Sequence, residues 1–178
     1  MSVKTFLRRV LLSLLFFFHT MLIASESMKE WEIKENCDIP SESISSKKML
    51  SVLDCQKFCE TEAKCRSFVF VSGWQRCFLK NQFAKQASIR FISADLPAAA
   101  KAEFSEASLH TDHDHSGKDL KRLVLEQAIE CGRACQKQDD CNAFTFIDGY
   151  RVCWLKSAGG RLSKKIFYCG IPKSVGKN

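Results

Sequence analysis

The sequence predicts an α+β fold made of two small disulfide-rich units in tandem, each a helix set against an antiparallel hairpin. Three observations carry this reading. Ten cysteines stand among 178 residues, all of them after an apolar leader. Eight of the ten fall into one spacing that recurs 76 residues later. Each helix-like stretch is followed by a short alternating apolar run, a turn signal and a second run.

In chain order, Lys4, Arg8 and Arg9 precede the apolar run Val10 to Phe18, and the segment closes on Ala24-Ser25-Glu26-Ser27. A basic start, a short apolar core and small residues at the exit describe a secretory signal peptide over residues 1–27, with a mature start near 25–28. A membrane anchor needs about 20 nearly uninterrupted apolar residues, and the polar exit follows too soon for one. No later stretch is apolar enough to span. The expected product is secreted, or stored in secretory vesicles before release. At 46% hydrophobic and 26% charged the chain is neither disordered nor collagen-like. Its +7 formal charge lies partly in the leader and is not run into blocks, so no nucleic-acid partner is expected.

An oxidising route makes disulfides the default use of the cysteines. Zinc is the rival, but Cys-x3-Cys-x5-Cys lacks the paired C-x2-C knuckles of structural sites. Cys55, Cys59, Cys65 and Cys77 are matched by Cys131, Cys135, Cys141 and Cys153, and the residues between agree: Phe68-Val69-Phe70 lies over Phe144-Thr145-Phe146, and Cys77-Phe78-Leu79-Lys80 over Cys153-Trp154-Leu155-Lys156. Two domains follow from this repeat, 28–95 and 103–178, joined by an Ala-rich linker over 96–102.

Within each unit Val52 to Ala63 and Leu123 to Gln136 read as helices, with Ser51 as an N-cap in the first. Cysteines four apart share one helix face. In the second unit Phe144 to Ile147 alternates, Asp148-Gly149 signals a two-residue turn, and Tyr150 to Lys156 returns. That loop sets Ile147 opposite Tyr150, Thr145 opposite Val152 and Phe144 opposite Cys153. One face then carries Phe144, Phe146, Cys153 and Leu155 and packs on the helix, because Cys153 needs a helix cysteine within reach. The other carries Thr145, Ile147, Tyr150, Val152, Trp154 and Lys156; in the first unit it carries Val69, Val71, Trp74, Arg76, Phe78 and Lys80. The pairing that fits is Cys55–Cys77 with Cys59–Cys65, and Cys131–Cys153 with Cys135–Cys141, each bridge contributing roughly 2–4 kcal/mol. Cys37 and Cys169 are left over, since the matching positions are His113 and Ser93. Three uses stay open for them: an interdomain clasp, which is preferred, an interchain bridge, or free thiols.

Helix-Cys-x3-Cys-x5-Cys, then Phe-x-Phe, then Cys-aromatic-Leu-Lys, resembles the PAN/apple domain family. Gly117-Lys118-Asp119-Leu120 resembles that family's entry to its helix, whereas the first unit reads Pro40-Ser41-Glu42-Ser43 and lacks the glycine. The resemblance implies an antiparallel sheet cradling one helix in each unit, and a non-enzymatic module that binds proteins or carbohydrates. A secreted pair of such domains is similar to the microneme lectins of apicomplexan parasites. That similarity implies binding of galactose- or N-acetylgalactosamine-type glycans in host-cell attachment, and a homodimer.

The residues themselves offer no Gly-x-Ser-x-Gly, His-Glu-x-x-His, P-loop or Gly-x-Gly-x-x-Gly, so no enzyme and no cofactor are expected. His110, Asp112, His113, Asp114 and His115 could chelate a metal, but a solvated strand is the simpler use, and no metal is expected. Sugar recognition needs a flat ring under the pyranose and polar groups for its hydroxyls. Asp148, Tyr150, Lys156 and Tyr168 are the candidate set, with Trp154 as a further ring; the first unit has Ser72 and Ile92 in place of the acid and the second tyrosine. Asp148 and Lys156 lie at opposite ends of one strand of about 3.3 Å rise per residue, which sets them apart. The rings have a rival use as an interface between domains or protomers. The rival functions are a protein-binding adaptor without sugar specificity and, through Arg161, Lys164 and Lys165, glycosaminoglycan binding.

Overall fold

The computed structural model describes residues 29–83, 85–158 and 160–173. The signal peptide expected over residues 1–27 lies outside the described residues. From Trp31 onward the chain forms one contact unit.

The first repeat contributes strands β1 (Trp31–Glu35), β2 (Cys37–Asp38) and β3 (Ser43–Lys48), helix α1 (Val52–Thr61), and strands β4 (Ser67–Val71), β5 (Arg76–Lys80), β6 (Ala87–Ser88) and β7 (Arg90–Asp95). A short 3-10 segment, Ala98–Glu103, occupies the expected linker. The second repeat follows with β8 (His110–Thr111), β9 (His113–His115), β10 (Asp119–Val124), α2 (Ala128–Gln136), β11 (Ala143–Asp148), β12 (Val152–Lys156), β13 (Leu162–Lys164) and β14 (Phe167–Pro172).

Both helices are shorter than expected, for identifiable reasons. α1 starts as expected where Ser51 caps it, its Oγ accepting from the Asp54 N–H at 3.1 Å, and ends two residues early at Thr61, where extended Glu62 turns its N–H to the Cys59 carbonyl at 3.2 Å. α2 starts five residues later than the expected Leu123. Gln127 is the cap there, and Glu130 accepts from its N–H at 3.0 Å in a capping box. Leu123 and Val124 belong to β10, where Leu123 pairs with Cys153.

Each helix lies on one face of a five-stranded antiparallel sheet. The first sheet runs β1-β14-β4-β5-β3 and the second β10-β12-β11-β7-β8. Neither is built from one repeat. β14, the last strand of the second repeat, sits between β1 and β4 of the first, pairing Cys169 with Val69 and Lys34. β7, the last strand of the first repeat, sits between β11 and β8 of the second, pairing Ser93 with Thr145 and His110. The repeats have exchanged their final strands. Before each crossing the chain is held at home by a short ladder, β6 on β2 and β13 on β9. Phe91 and Phe167, which are equivalent in the repeat, stack on each other with centroids 4.9 Å apart at 19°.

The leftover cysteines close this exchange. Cys37 bonds Cys169, with Cα atoms 5.8 Å apart, tying the first repeat to the strand it receives. At the equivalent place in the second sheet Ser93 Oγ donates to the His113 carbonyl, a hydrogen bond in the position of a disulfide. The other four bridges are local, Cys55–Cys77, Cys59–Cys65, Cys131–Cys153 and Cys135–Cys141.

The hairpin register differs from the expected one by two residues. Ile147 pairs with Val152 and Phe146 with Cys153, so residues 148–151 form a four-residue loop rather than a two-residue turn. Asp148 is drawn into β11 by pairing with Arg90 of the received strand, and Gly149 and Arg151 then turn the chain with φ of 86° and 56°. An even shift leaves every side chain on its expected face. Phe144, Phe146, Cys153 and Leu155 pack with the α2 cysteines in one core, and Phe68, Phe70, Cys77 and Leu79 with those of α1 in another.

Two predictions follow from this architecture. In the double variant Ser93→Cys with His113→Cys, a new 93–113 bridge forms beside an intact Cys37–Cys169, read by peptide mapping under non-reducing conditions. Bridges 37–93 and 113–169 would mean that each repeat keeps its own strand. Replacing Cys131 and Cys153 together by alanine costs roughly 2–5 kcal/mol, because the bridge pins α2 to a small core; the measurement is thermal unfolding of the purified protein.

Candidate functional site

The faces turned away from the helices converge on one another. Val69, Val71 and Phe78 of the first sheet and Ile147 and Trp154 of the second meet around Phe91, Phe167 and the Cys37–Cys169 bridge in a third apolar cluster. The rings therefore do serve as an interface, within the chain. They do not close it. Among the described residues a cleft lies over each sheet, and equivalent residues of the repeat line the pair.

The cleft on the second sheet encloses about 430 Å³ and is lined by Thr145, Ile147, Val152, Trp154 and Lys156 of the hairpin, Asp119 and Arg122 of β10, Asp114 of β9, and Trp74, Phe91 and Tyr150. Alternation along β12 puts Trp154 and Lys156 on the same side, and cross-strand pairing sets Asp119 against Lys156. The Lys156 ammonium meets Asp119 Oδ1 at 2.5 Å, and the Lys156 side chain is only 9% exposed. Arg122 lies over the half-buried Trp154 ring, 5.8 Å from its centroid.

A second polar network stands beside this pair. Thr145 Oγ1 donates to Asp114 Oδ1 at 2.7 Å and accepts from the His115 N–H at 3.0 Å. Asp114 Oδ2 is bonded to Lys165, whose ammonium also lies over the Trp74 and Phe91 rings at 5.5 and 5.3 Å. Lys165 reaches across because Gly73 leaves it room: a Cβ there would come within 2.3 Å of Lys165 Cε. His115 is buried, accepting at Nδ1 from Gly117 N–H and donating from Nε2 to Asp95 at 2.9 Å.

The cleft on the first sheet encloses about 540 Å³ and is lined by Val69, Val71, Phe78, Lys80, Asp38, Ile39, Pro40, Ser41, Glu42 and Ser43, with Trp74, Tyr150 and Phe167. Lys80 donates to the Ser41 carbonyl, and burial holds its ammonium below the ordinary lysine value, an effect that Asp38 partly offsets. Tyr150 donates its hydroxyl to Asp38. Burial first, then the hydrogen bond and charge of Asp38, push that phenol well above its ordinary value. Trp74 and Tyr150, 46% and 47% exposed, line both clefts.

Of the four residues singled out from the sequence, Tyr150 and Lys156 share the second-sheet cleft. Asp148 does not line it. It stands exposed at the hairpin tip, pairs across with Arg90, and accepts from the Gly149 N–H at 2.9 Å. Tyr168 went with the exchanged strand: it packs beside Phe70 on the helix side of the first sheet, and burial, then Glu35, raise its phenol. Asp119 and Arg122 are cleft residues that the sequence reading passed over, while Asp114 entered it only as a possible metal ligand and Trp74 only as a ring of the first unit. The first of them stood in the Gly-Lys-Asp-Leu motif, hidden by a helix expected to begin just after it. Arg161 and Lys164, both exposed or nearly so, lie outside the cleft, while Lys165 is buried in the network described above. The histidine-rich segment is split between β8 and β9, and among the described residues no three His, Cys, Asp or Glu side chains are placed to share a metal ion.

The geometry is that of a binding surface: apolar rings flanked by oriented charged groups. No helix among the described residues is long and apolar enough to cross a membrane, and five disulfides suit an oxidising compartment. Comparison with protein families finds a PAN domain over residues 30–97 and a second over 113–156, modules that mediate protein or carbohydrate binding. The chain belongs to the PAN domain family, with two copies of the domain in tandem.

Proposed function

We propose that this is a secreted lectin whose second-sheet cleft binds a terminal galactose-type sugar. The observation that carries the reading is the Lys156–Asp119 pair held at 2.5 Å beside the half-buried Trp154 ring. A pyranose presents a C–H face that lies on an indole, and hydroxyls that need donors and acceptors fixed in place. Galactose differs from glucose by an axial hydroxyl at C4, so selecting it needs a polar group that does not move. Lys156 is fixed by burial and by Asp119. The ammonium keeps protons for a sugar oxygen, and the carboxylate keeps an oxygen for a sugar hydroxyl. Tyr150 supplies apolar contact at the wall, and Asp119 takes the acceptor role first assigned to Asp148. Delivered by the secretory route, with storage in vesicles such as micronemes, the protein attaches to galactose- or N-acetylgalactosamine-bearing glycoconjugates on another cell. Dimerisation would strengthen that attachment by raising the effective concentration of sites.

A glycan array on the secreted protein, followed by titration with galactose, tests this. Lys156→Met and Asp119→Asn each weaken galactose binding about tenfold or more, the scale of a hydrogen bond to a charged group. Asp148→Asn and Tyr168→Phe bind like the parent. A folded protein with no glycan signal overturns the lectin reading in favour of a protein-binding adaptor.

A further inference from the structure

The first-sheet cleft is not a copy of the second, and its differences specify a ligand. We propose that it is a second sugar site, selective for an N-acetylated hexosamine. The inference rests on the carbohydrate reading of the fold and concerns a different set of residues.

Three positions keep their roles between the clefts: Lys80 for Lys156, Asp38 for Asp114, and Phe78 for Trp154. Two change. Val69 stands where the other cleft has Thr145, and Ser43 where it has Asp119. The floor is thereby made apolar, and the lysine loses its carboxylate partner. Its ammonium donates instead to the Ser41 carbonyl, leaving protons for a ligand. Asp38, 6% exposed, accepts from Tyr150 through Oδ2 and keeps Oδ1 for a donor. Ser41 Oγ is buried and has no hydrogen-bond partner among the described residues. Buried polar atoms are nearly always paired, so this hydroxyl on a residue of the cleft wall is hydrogen-bonding capacity that the protein's own groups leave unused.

An acetamido group answers this arrangement atom by atom. Its carbonyl oxygen accepts from Lys80, its N–H donates to Asp38, and its methyl needs an apolar surface, which Val69 and Val71 provide. Phe78 lies under the C–H face of the ring. A plain hexose would bring a hydroxyl to the valines, where it finds no partner and its desolvation is uncompensated. N-acetylglucosamine is the discriminating probe, because its C4 hydroxyl is equatorial and the galactose-type cleft does not select it.

The test is NMR titration of the full secreted protein with N-acetylglucosamine, glucose and galactose. N-acetylglucosamine shifts signals of Phe78 and Val69 and binds about tenfold tighter than glucose, a difference of about 1.4 kcal/mol. Lys80→Met removes N-acetylglucosamine binding and leaves galactose binding intact; Lys156→Met does the reverse. Val69→Thr brings N-acetylglucosamine and glucose towards parity, with the circular dichroism of the variant matching the parent. Equal binding of the two sugars by the parent protein, or loss of N-acetylglucosamine binding in Lys156→Met, overturns the proposal. If galactose still binds in that case, the lectin reading stands and this inference alone falls; if no sugar binds the folded protein, the lectin reading falls with it.

Discussion

Once Cys37 is bonded to Cys169, the last strand of the second repeat is fixed in the first sheet, and almost everything else follows from that placement. Position 93, where an unexchanged first repeat would need its closing cysteine, is a serine. Position 113, where the second repeat would need one, is a histidine. An unexchanged arrangement would leave both cysteines without these partners, whereas in the exchanged one they bond each other. A bridge across 132 residues of sequence also removes more freedom from the unfolded chain than the local bridges, whose partners are 22 or 6 apart. The exchange makes two domains of modest core into one cooperative body, since neither sheet is complete without a strand from the other repeat.

The same crossing builds the clefts. It carries Phe91 and Phe167 to the junction, where they stack, and sets Trp74 and Tyr150 edge-on to Phe167. Each cleft thus has a floor from one hairpin and a wall from the other repeat. The sharing is physical: the Tyr150 ring lines the second-sheet cleft while its hydroxyl is held by Asp38 in the first. Lys165 makes the opposite crossing, pairing with Asp114 while covering the Trp74 ring.

What could be read from the sequence was local. Cysteines at i and i+4, a Phe-x-Phe run and a capping serine define a helix and a hairpin by near-neighbour rules, and period-two alternation assigns faces even when the loop length is misjudged. The register error at Asp148-Gly149 was harmless for that reason, since it moved partners by two. Errors became consequential where the chain left its own repeat. Tyr168 belongs by sequence to the same unit as Lys156, yet the segment between them carries Tyr168 into the other sheet. Asp119 was passed over because a run of leucines around it suits a helix as well as an edge strand; only the pairing of β10 with β12 decides between them. Strand exchange leaves no periodic trace. The nearest signal was the pair of unmatched cysteines, which pointed to a link between repeats without saying which strand would move.

The polar groups in the clefts link neighbouring elements, but their buried charges are a poor source of stability, and that asymmetry bears on function. Replacing a buried ion pair by apolar residues of similar size is often neutral or stabilising, because desolvation offsets most of the attraction. Lys80, Lys156 and Lys165 are each more than nine-tenths buried, and Lys80 bonds no carboxylate among the described residues, the charge of Asp38 offsetting its burial only in part. The sheets do not need these ammonium groups: three apolar clusters and five bridges already define the structure. Lys80 and Lys156 line the clefts, Lys165 covers the Trp74 ring beside them, and the buried Ser41 hydroxyl has no hydrogen-bond partner among the described residues. Buried ammonium groups bordering uncovered faces suit a binding surface, the use that PAN modules make of their fold.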